Sequence, residues 1–187
     1  YSVPGGSELY KLRKSGALQE MRQQGIFPLE REVLPRVLAG LFGLVERLFG
    51  VQIGEDQAEG WHPDVRFYRI SAGDRLVGQF YLDLYAREAK QPGAWMNDCR
   101  GRQHEEGAVV QTPVAYLVCN FQAPVNGQPA LLTHDDVTTL FHEFGHALHG
   151  LFASQKYETL SGTNTPRDFV EMPSQFNEHW MTDSVVL

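Results

Sequence analysis

From Thr133 to Phe152 the sequence spells one helix with two opposed faces. Leu140, Phe144, Leu148 and Leu151 recur at helical spacing and make a single apolar stripe, while His142, Glu143 and His146 fall on the side away from it. Thr133 is placed to cap the N-terminus, and Asp135 and Asp136 in the first turn complement the helix dipole. Such a helix needs an apolar layer under its stripe and leaves its other face to a cleft. The rest of the chain has to supply that layer.

The segments that can supply it read as strands. Val65–Ile70 alternates and is rich in β-formers, Ala72–Asp74 supplies a turn, and Leu76–Leu84 returns, which predicts a hairpin. Pro113–Phe121 predicts a further strand, before a Pro/Gly turn at Pro124–Pro129. Gln91–Met96 reads as a Gly/Pro loop and Gly54–Pro63 as a polar one. Upstream, Glu8–Gln24 predicts a charged helix, and Val33–Phe49 a second one with Val37, Leu41, Leu44, Val45 and Leu48 at helical spacing and Gly50 as its C-cap. Downstream, residues 154–165 form a polar loop. Thr165 then Pro166 give an N-cap and a first-turn proline for a last helix running from about Pro166 or Asp168 towards Asp183, which Pro173 would kink or delay. The expected class is α+β and mostly helical: a small sheet beside the two-faced helix, followed by another helix. Residues 1–26 form a loose start with a charged helix, and 27–187 a single core.

Charge narrows the functional classes. With 16 basic and 23 acidic side chains the formal net charge is −7, which argues against nucleic acid or an anionic membrane as the main partner. The first residues lack the apolar run of a secretory signal, and the stretch around Val37–Val45 is too short to span a bilayer. Cys99 and Cys119 form no C-x-x-C pair and no disulfide framework. They fit a reducing, cytoplasmic setting. The chain begins at Tyr1 and stops at Leu187 within the predicted last helix, as a piece of a longer polypeptide would.

The chemistry concentrates at His142-Glu143-Phe144-Gly145-His146. Histidines at i and i+4 project one turn apart from one helix face, so both imidazoles can reach one metal ion. Glu143 follows the first of them and can address water at the metal without ligating it. The bland alternative is a helix with surface histidines. Gly145 costs about 1 kcal/mol against Ala in a helix interior, so either a neighbouring element or substrate approaches closely there, or it serves ordinary helix packing. A hydrolytic zinc site needs a third protein ligand and an open position. Glu171, on the next predicted helix, is the candidate. His149, Glu158, Glu178 and His179 are alternatives. One ion can hardly reach both His142 and His149, which makes His149 a cleft residue, and Glu178 could instead orient a ligand histidine.

The sequence as a whole resembles the thimet oligopeptidase family of zinc peptidases, which includes endo-acting oligopeptidases and dipeptidyl carboxypeptidases. FHEFGHALHGLF at 141–152 and LSGTNTPRDFVEMPSQFNEHW at 160–180 carry the resemblance. WHPDVRFYRI at 61–70, FYLDLYARE at 80–88, PGAWM at 92–96 and PVAYLVCNF at 113–121 extend it, so that it runs from about Phe27 to Trp180. The resemblance implies one Zn2+ per chain held by His142, His146 and Glu171, Glu143 as the catalytic acid/base, and short peptides as substrates. It also implies a longer fold whose substrate-binding tyrosine and histidine side chains lie downstream of Leu187. Within this chain, His149, Tyr157 and Tyr116 are the local candidates for contacting substrate. The strand at Pro113–Phe121 is expected beside the cleft, either as a free edge that pairs with a peptide or as a plain central strand.

Overall fold

The computed structural model describes residues 33–125, 130, 132–155 and 157–182. The predicted helix over Glu8–Gln24 lies outside these residues. Helix α1 spans Val33–Phe49, strand β1 Gln52–Glu55, β2 Arg66–Ala72, β3 Arg75–Tyr85, β4 Trp95–Arg100, β5 Gln103–Glu105, β6 Ala108–Gln111 and β7 Val114–Phe121. Helix α2 spans His134–Phe152 and α3 Arg167–Glu178, each followed by a short 3-10 turn, Glu158–Leu160 and His179–Thr182. The class is α+β. Among the described residues strands nearly match helices in extent, so the mostly helical expectation is corrected for this part of the chain.

Two strand regions account for that difference. β4 falls across the end of the Gln91–Met96 segment read as a loop, and β5–β6 is a hairpin turned by Glu106 and Gly107, both with positive φ (49° and 85°). β4 is exposed over most of its length, so it carries no alternation of apolar residues. Its strand character comes from pairing with β7, a contact that local pattern does not encode.

The main sheet has the order β1-β2-β3-β7-β4. β3 and β7 are parallel, and the other neighbours are antiparallel. β7 is therefore central, paired on both sides, and not the free edge considered for it. In the parallel register Phe80 faces Ala115 and Leu82 faces Leu117, and with period 2 these residues share one face with Cys119 and Phe121. That face is buried against α1 and α2. Val37, Leu41 and Val45 of α1, and Leu140, Phe144 and Leu151 of α2, all join the same core. Phe42 packs against Tyr68, Phe80 and Phe144 with ring centroids 5.1, 6.1 and 5.8 Å away, knitting both helices to the sheet.

The opposite face carries Trp61, Phe67, Tyr81 and Tyr116 in mutual ring contact. Beside them, buried Asp83 accepts from both guanidinium nitrogens of Arg87 at 2.7 Å, from Lys90 Nζ at 2.9 Å and from Trp61 Nε1 at 2.9 Å. Burial alone would raise the Asp83 pKa. The donors from Arg87, Lys90 and Trp61 outweigh it and hold the carboxyl at about 2.

Both ends of α2 are tied down. Thr133 Oγ1 accepts from Asp136 N at 3.1 Å, and Asp136 Oδ2 accepts from Thr133 N at 2.8 Å, a reciprocal capping box. At the other end, buried Arg102 donates to Leu151 O, Ala153 O and Val77 O at 2.8, 2.9 and 2.7 Å. It satisfies late carbonyls of the helix and bolts them to β3, with its charge at the negative end of the dipole.

α3 starts at Arg167, between the two starts read from the sequence, but Pro166 and not Thr165 is its N-cap, with no side-chain cap bond. Pro173 neither delays nor ends it. α3 is continuous through Pro173 to Glu178 and then tightens into the 3-10 turn. Packing against α2 supplies what the missing N–H forfeits.

Candidate metal centre

Helical geometry puts His142 and His146 on one face of α2, their rings 4.8 Å apart and nearly perpendicular (84°). Whether a third ligand reaches them depends on how closely α3 can lie on α2, and Gly145 decides that. A Cβ there would stand 2.6 Å from Ser174 Cα and 2.9 Å from Pro173 O, so the α3 backbone occupies the space a side chain would need. Of the readings considered for Gly145, the structure shows the close approach of a neighbouring element.

This contact brings Glu171 to the histidines. Its Oε2 lies 3.3 Å from His142 Nε2 and 3.2 Å from His146 Nε2. One donor atom from each of the three residues lies within 4.8 Å of the others. Four-coordinate zinc with N and O ligands about 2.0–2.1 Å away holds adjacent donors about 3.3–3.4 Å apart; the two gaps to Glu171 are of that size, and the full set, spread over up to 4.8 Å, would draw together around an ion. Two imidazoles and a carboxylate form an N2O donor set of the kind that leaves a fourth position open. The three residues form a group that could hold a metal ion.

The surroundings orient one imidazole and favour the neutral form of the other. His142 Nδ1 lies 2.6 Å from Glu178 Oε1, which orients the ring with Nε2 towards Glu171; a metal taken at Nε2 would leave Nδ1–H to donate to Glu178. Glu178, weighed in the sequence both as a ligand and as an orienting partner, takes the second place. Burial lowers the His146 pKa and so favours the neutral ring a metal requires. Burial likewise raises the Glu143 pKa, with a smaller opposing effect from His142 and a small reinforcement from Glu171. Glu143 is itself buried, at 8% exposure.

The other residues singled out from sequence lie apart from this cluster. His149 sits one turn past His146 in edge contact with Phe169, its ring centroid 6.3 Å away, and burial lowers its pKa. It lines a cavity of about 510 Å³ with Phe49, Phe152, Phe169 and Phe176, which Gly145 and Asn177 also border. Neither His142 nor Glu171 lines that cavity. Tyr157 is 62% exposed on the loop after α2. Tyr116 points to the sheet face opposite α2, in contact with Trp61 and Tyr81, because its parity on β7 is opposite to that of Ala115 and Leu117. His179 lies in the 3-10 turn after α3, outside the three-residue cluster.

Sequence reasoning missed two residues beside the cluster. Ser174 is fully buried, and its hydroxyl faces Glu171 O at 2.8 Å and Glu171 Oε2 at 3.1 Å. Asn177, 6% exposed, donates from Nδ2 to Phe141 O across 2.6 Å. Their only signal in the sequence is polar side chains at i+3 and i+6 from Glu171, on the face that must meet α2.

A helix presenting two histidines one turn apart, met by a carboxylate from the next helix, makes a candidate metal centre. The chain belongs to peptidase family M3, whose sequence model matches residues 22–187. It is 45% identical over 181 residues to the oligopeptidase A of Haemophilus influenzae, covering 92% of this chain and 27% of that protein. It is 46% identical over 170 residues to the oligopeptidase A of Escherichia coli, covering 86% and 25%. It is also 52% identical over 171 residues to the dipeptidyl carboxypeptidase of Salmonella typhimurium, covering 90% and 24%. The chain thus spans about a quarter of the length of the curated relatives it matches. Among the described residues no helix is long and apolar enough to cross a membrane.

Proposed function

We propose that residues 27–187 form the catalytic core of a zinc peptidase acting on short peptides, with His142, His146 and Glu171 as ligands of one zinc ion and Glu143 as the catalytic acid/base. The observation that carries this reading is the meeting of two imidazole Nε2 atoms on Glu171 Oε2 at 3.2 and 3.3 Å. When bound, zinc supplies Lewis-acid polarisation of water and of the scissile carbonyl. Glu143 takes a proton from water onto a carboxylate oxygen as the water oxygen bonds to the carbonyl carbon. It then returns that proton to the leaving amine as the C–N bond breaks. The Glu178 bond to His142 Nδ1 keeps that ring in one tautomer and orientation throughout. Two free cysteines, Cys99 exposed and Cys119 buried, suit the cytoplasmic setting that is part of this proposal.

A second reading, a site that binds zinc without turning over peptide, is favoured by one observation. Tyr116 faces away from α2, so it offers no donor for the oxyanion, and a missing donor costs about 3–4 kcal/mol of transition-state stabilisation. Cleavage of a quenched fluorescent peptide, with zinc content measured on the same sample and a chelator control, separates the two. Chelator-sensitive turnover with one zinc per chain supports the peptidase. One zinc without turnover supports the second reading, and no bound zinc removes both.

A further inference from the structure

We propose that Ser174 and Asn177 are positioning residues that set the metal affinity of the site by fixing Glu171 against the two imidazoles. The inference rests on the metal-site reading above. Glu171 is 47% exposed at its side chain, and a glutamate with that much solvent can swing through several rotamers. Two features restrain it. The buried Ser174 hydroxyl lies within hydrogen-bond reach of Oε2, the same oxygen that faces both Nε2 atoms, while also reaching the Glu171 carbonyl. Its one proton, shared between those acceptors, ties the carboxylate to its own backbone.

Asn177 acts on the helix rather than the side chain. Its amide reaches the carbonyl of Phe141, the residue before the first histidine. That carbonyl also takes the N–H of residue 145 in regular helix geometry, so the turn that carries His142 and the turn where Gly145 meets Ser174 are held together. At 6% exposure Asn177 makes this bond largely shielded from solvent, where breaking it is costly. The spacing agrees: 171, 174, 177 and 178 share the α3 face that lies on α2, and all four make polar contacts across it or to Glu171. A donor set assembled from two helices holds a metal only as well as those helices hold register.

The test compares the full chain with Ser174→Ala and Asn177→Leu. Zinc affinity is measured by competition with a chromophoric chelator, the cobalt(II) visible spectrum of each protein is recorded, and the metal-free forms are unfolded thermally. Each variant is expected to lose zinc affinity by about 10- to 100-fold, with a changed cobalt spectrum. The metal-free unfolding midpoint of Ser174→Ala is expected to stay close to that of the parent chain. Should Asn177→Leu fail to fold, Ser174→Ala decides the question. Unchanged zinc affinity and cobalt spectrum in Ser174→Ala overturn the inference, as does an affinity loss matched by an equal loss of metal-free stability. A parent chain that binds zinc tightly while the variants match it refutes only the positioning role. A parent chain that binds none refutes the metal site as well.

Discussion

Replacing Gly145 by Ala sets two known effects against each other at the point where the site is assembled. In a helix interior Ala is better than Gly by about 1 kcal/mol, so propensity alone predicts a more stable protein. The added Cβ, however, would stand 2.6 Å from Ser174 Cα, 2.9 Å from Pro173 O and 3.1 Å from Ser174 N, whereas carbon atoms rest about 3.5–4.0 Å apart. All three neighbours are backbone, so no side-chain rotation relieves the clash and α3 must withdraw by about 1 Å. Overpacking of this kind costs about 1–3 kcal/mol. Withdrawal also strains the 2.6 Å bond from Asn177 to Phe141 O, and leaving such a buried donor unmet costs about 1–3 kcal/mol. The net expectation is a destabilisation of about 1–5 kcal/mol. The gaps from Glu171 Oε2 to the two Nε2 atoms, now 3.2 and 3.3 Å, would widen by about 1 Å, past the edge length of a zinc polyhedron, and weaken metal binding. Urea unfolding of the metal-free protein and zinc titration of the folded protein read the two consequences separately. A Gly145→Ala variant about 1 kcal/mol more stable than its parent, with undiminished zinc affinity, would refute the close-packing argument.

The remaining predictions concern the chemistry and the far side of the sheet. Glu143→Gln keeps the zinc and loses peptide hydrolysis by 100-fold or more, on the order expected for a removed acid/base, and full activity in that variant would remove the assigned role. Glu171→Ala lowers zinc retention, read by elemental analysis after dialysis; undiminished metal content moves the third ligand elsewhere. Asp83, held at about 2, contributes stability that is fully present above its unfolded value near 3.8 and is lost as pH falls through about 2. The shift corresponds to roughly 2 kcal/mol. Urea unfolding between pH 2 and 6 is expected to show that acid-labile component in the parent chain and not in Asp83→Asn. At neutral pH Asp83→Asn should be less stable by about 3 kcal/mol, because Arg87 and Lys90 lose their buried partner. Burial leaves the Lys90 pKa below its ordinary value even beside Asp83, so the acid transition belongs to the carboxylate.

Local sequence determined those features whose cause lies within one turn or one strand. The 3.6-residue period alone sets His142 and His146 side by side and opposes them to Leu140, Phe144 and Leu151, and Thr133 with Asp136 closes the cap from residues three apart. Gly50, with φ 64°, ends α1 where the pattern says it should. What required the tertiary structure is everything set by contacts between distant segments. β4 is a strand because β7 pairs with it, and Tyr116 faces away from α2 because pairing to β3 fixes which parity of β7 is buried. Pro173 stays inside α3 because α2 supports that helix, and Glu171 reaches the histidines because a missing Cβ at Gly145 lets two backbones touch. Side-chain period is a property of a single element and is legible in its residues. Register and approach distance are properties of pairs of elements, decided by which surfaces can be buried together.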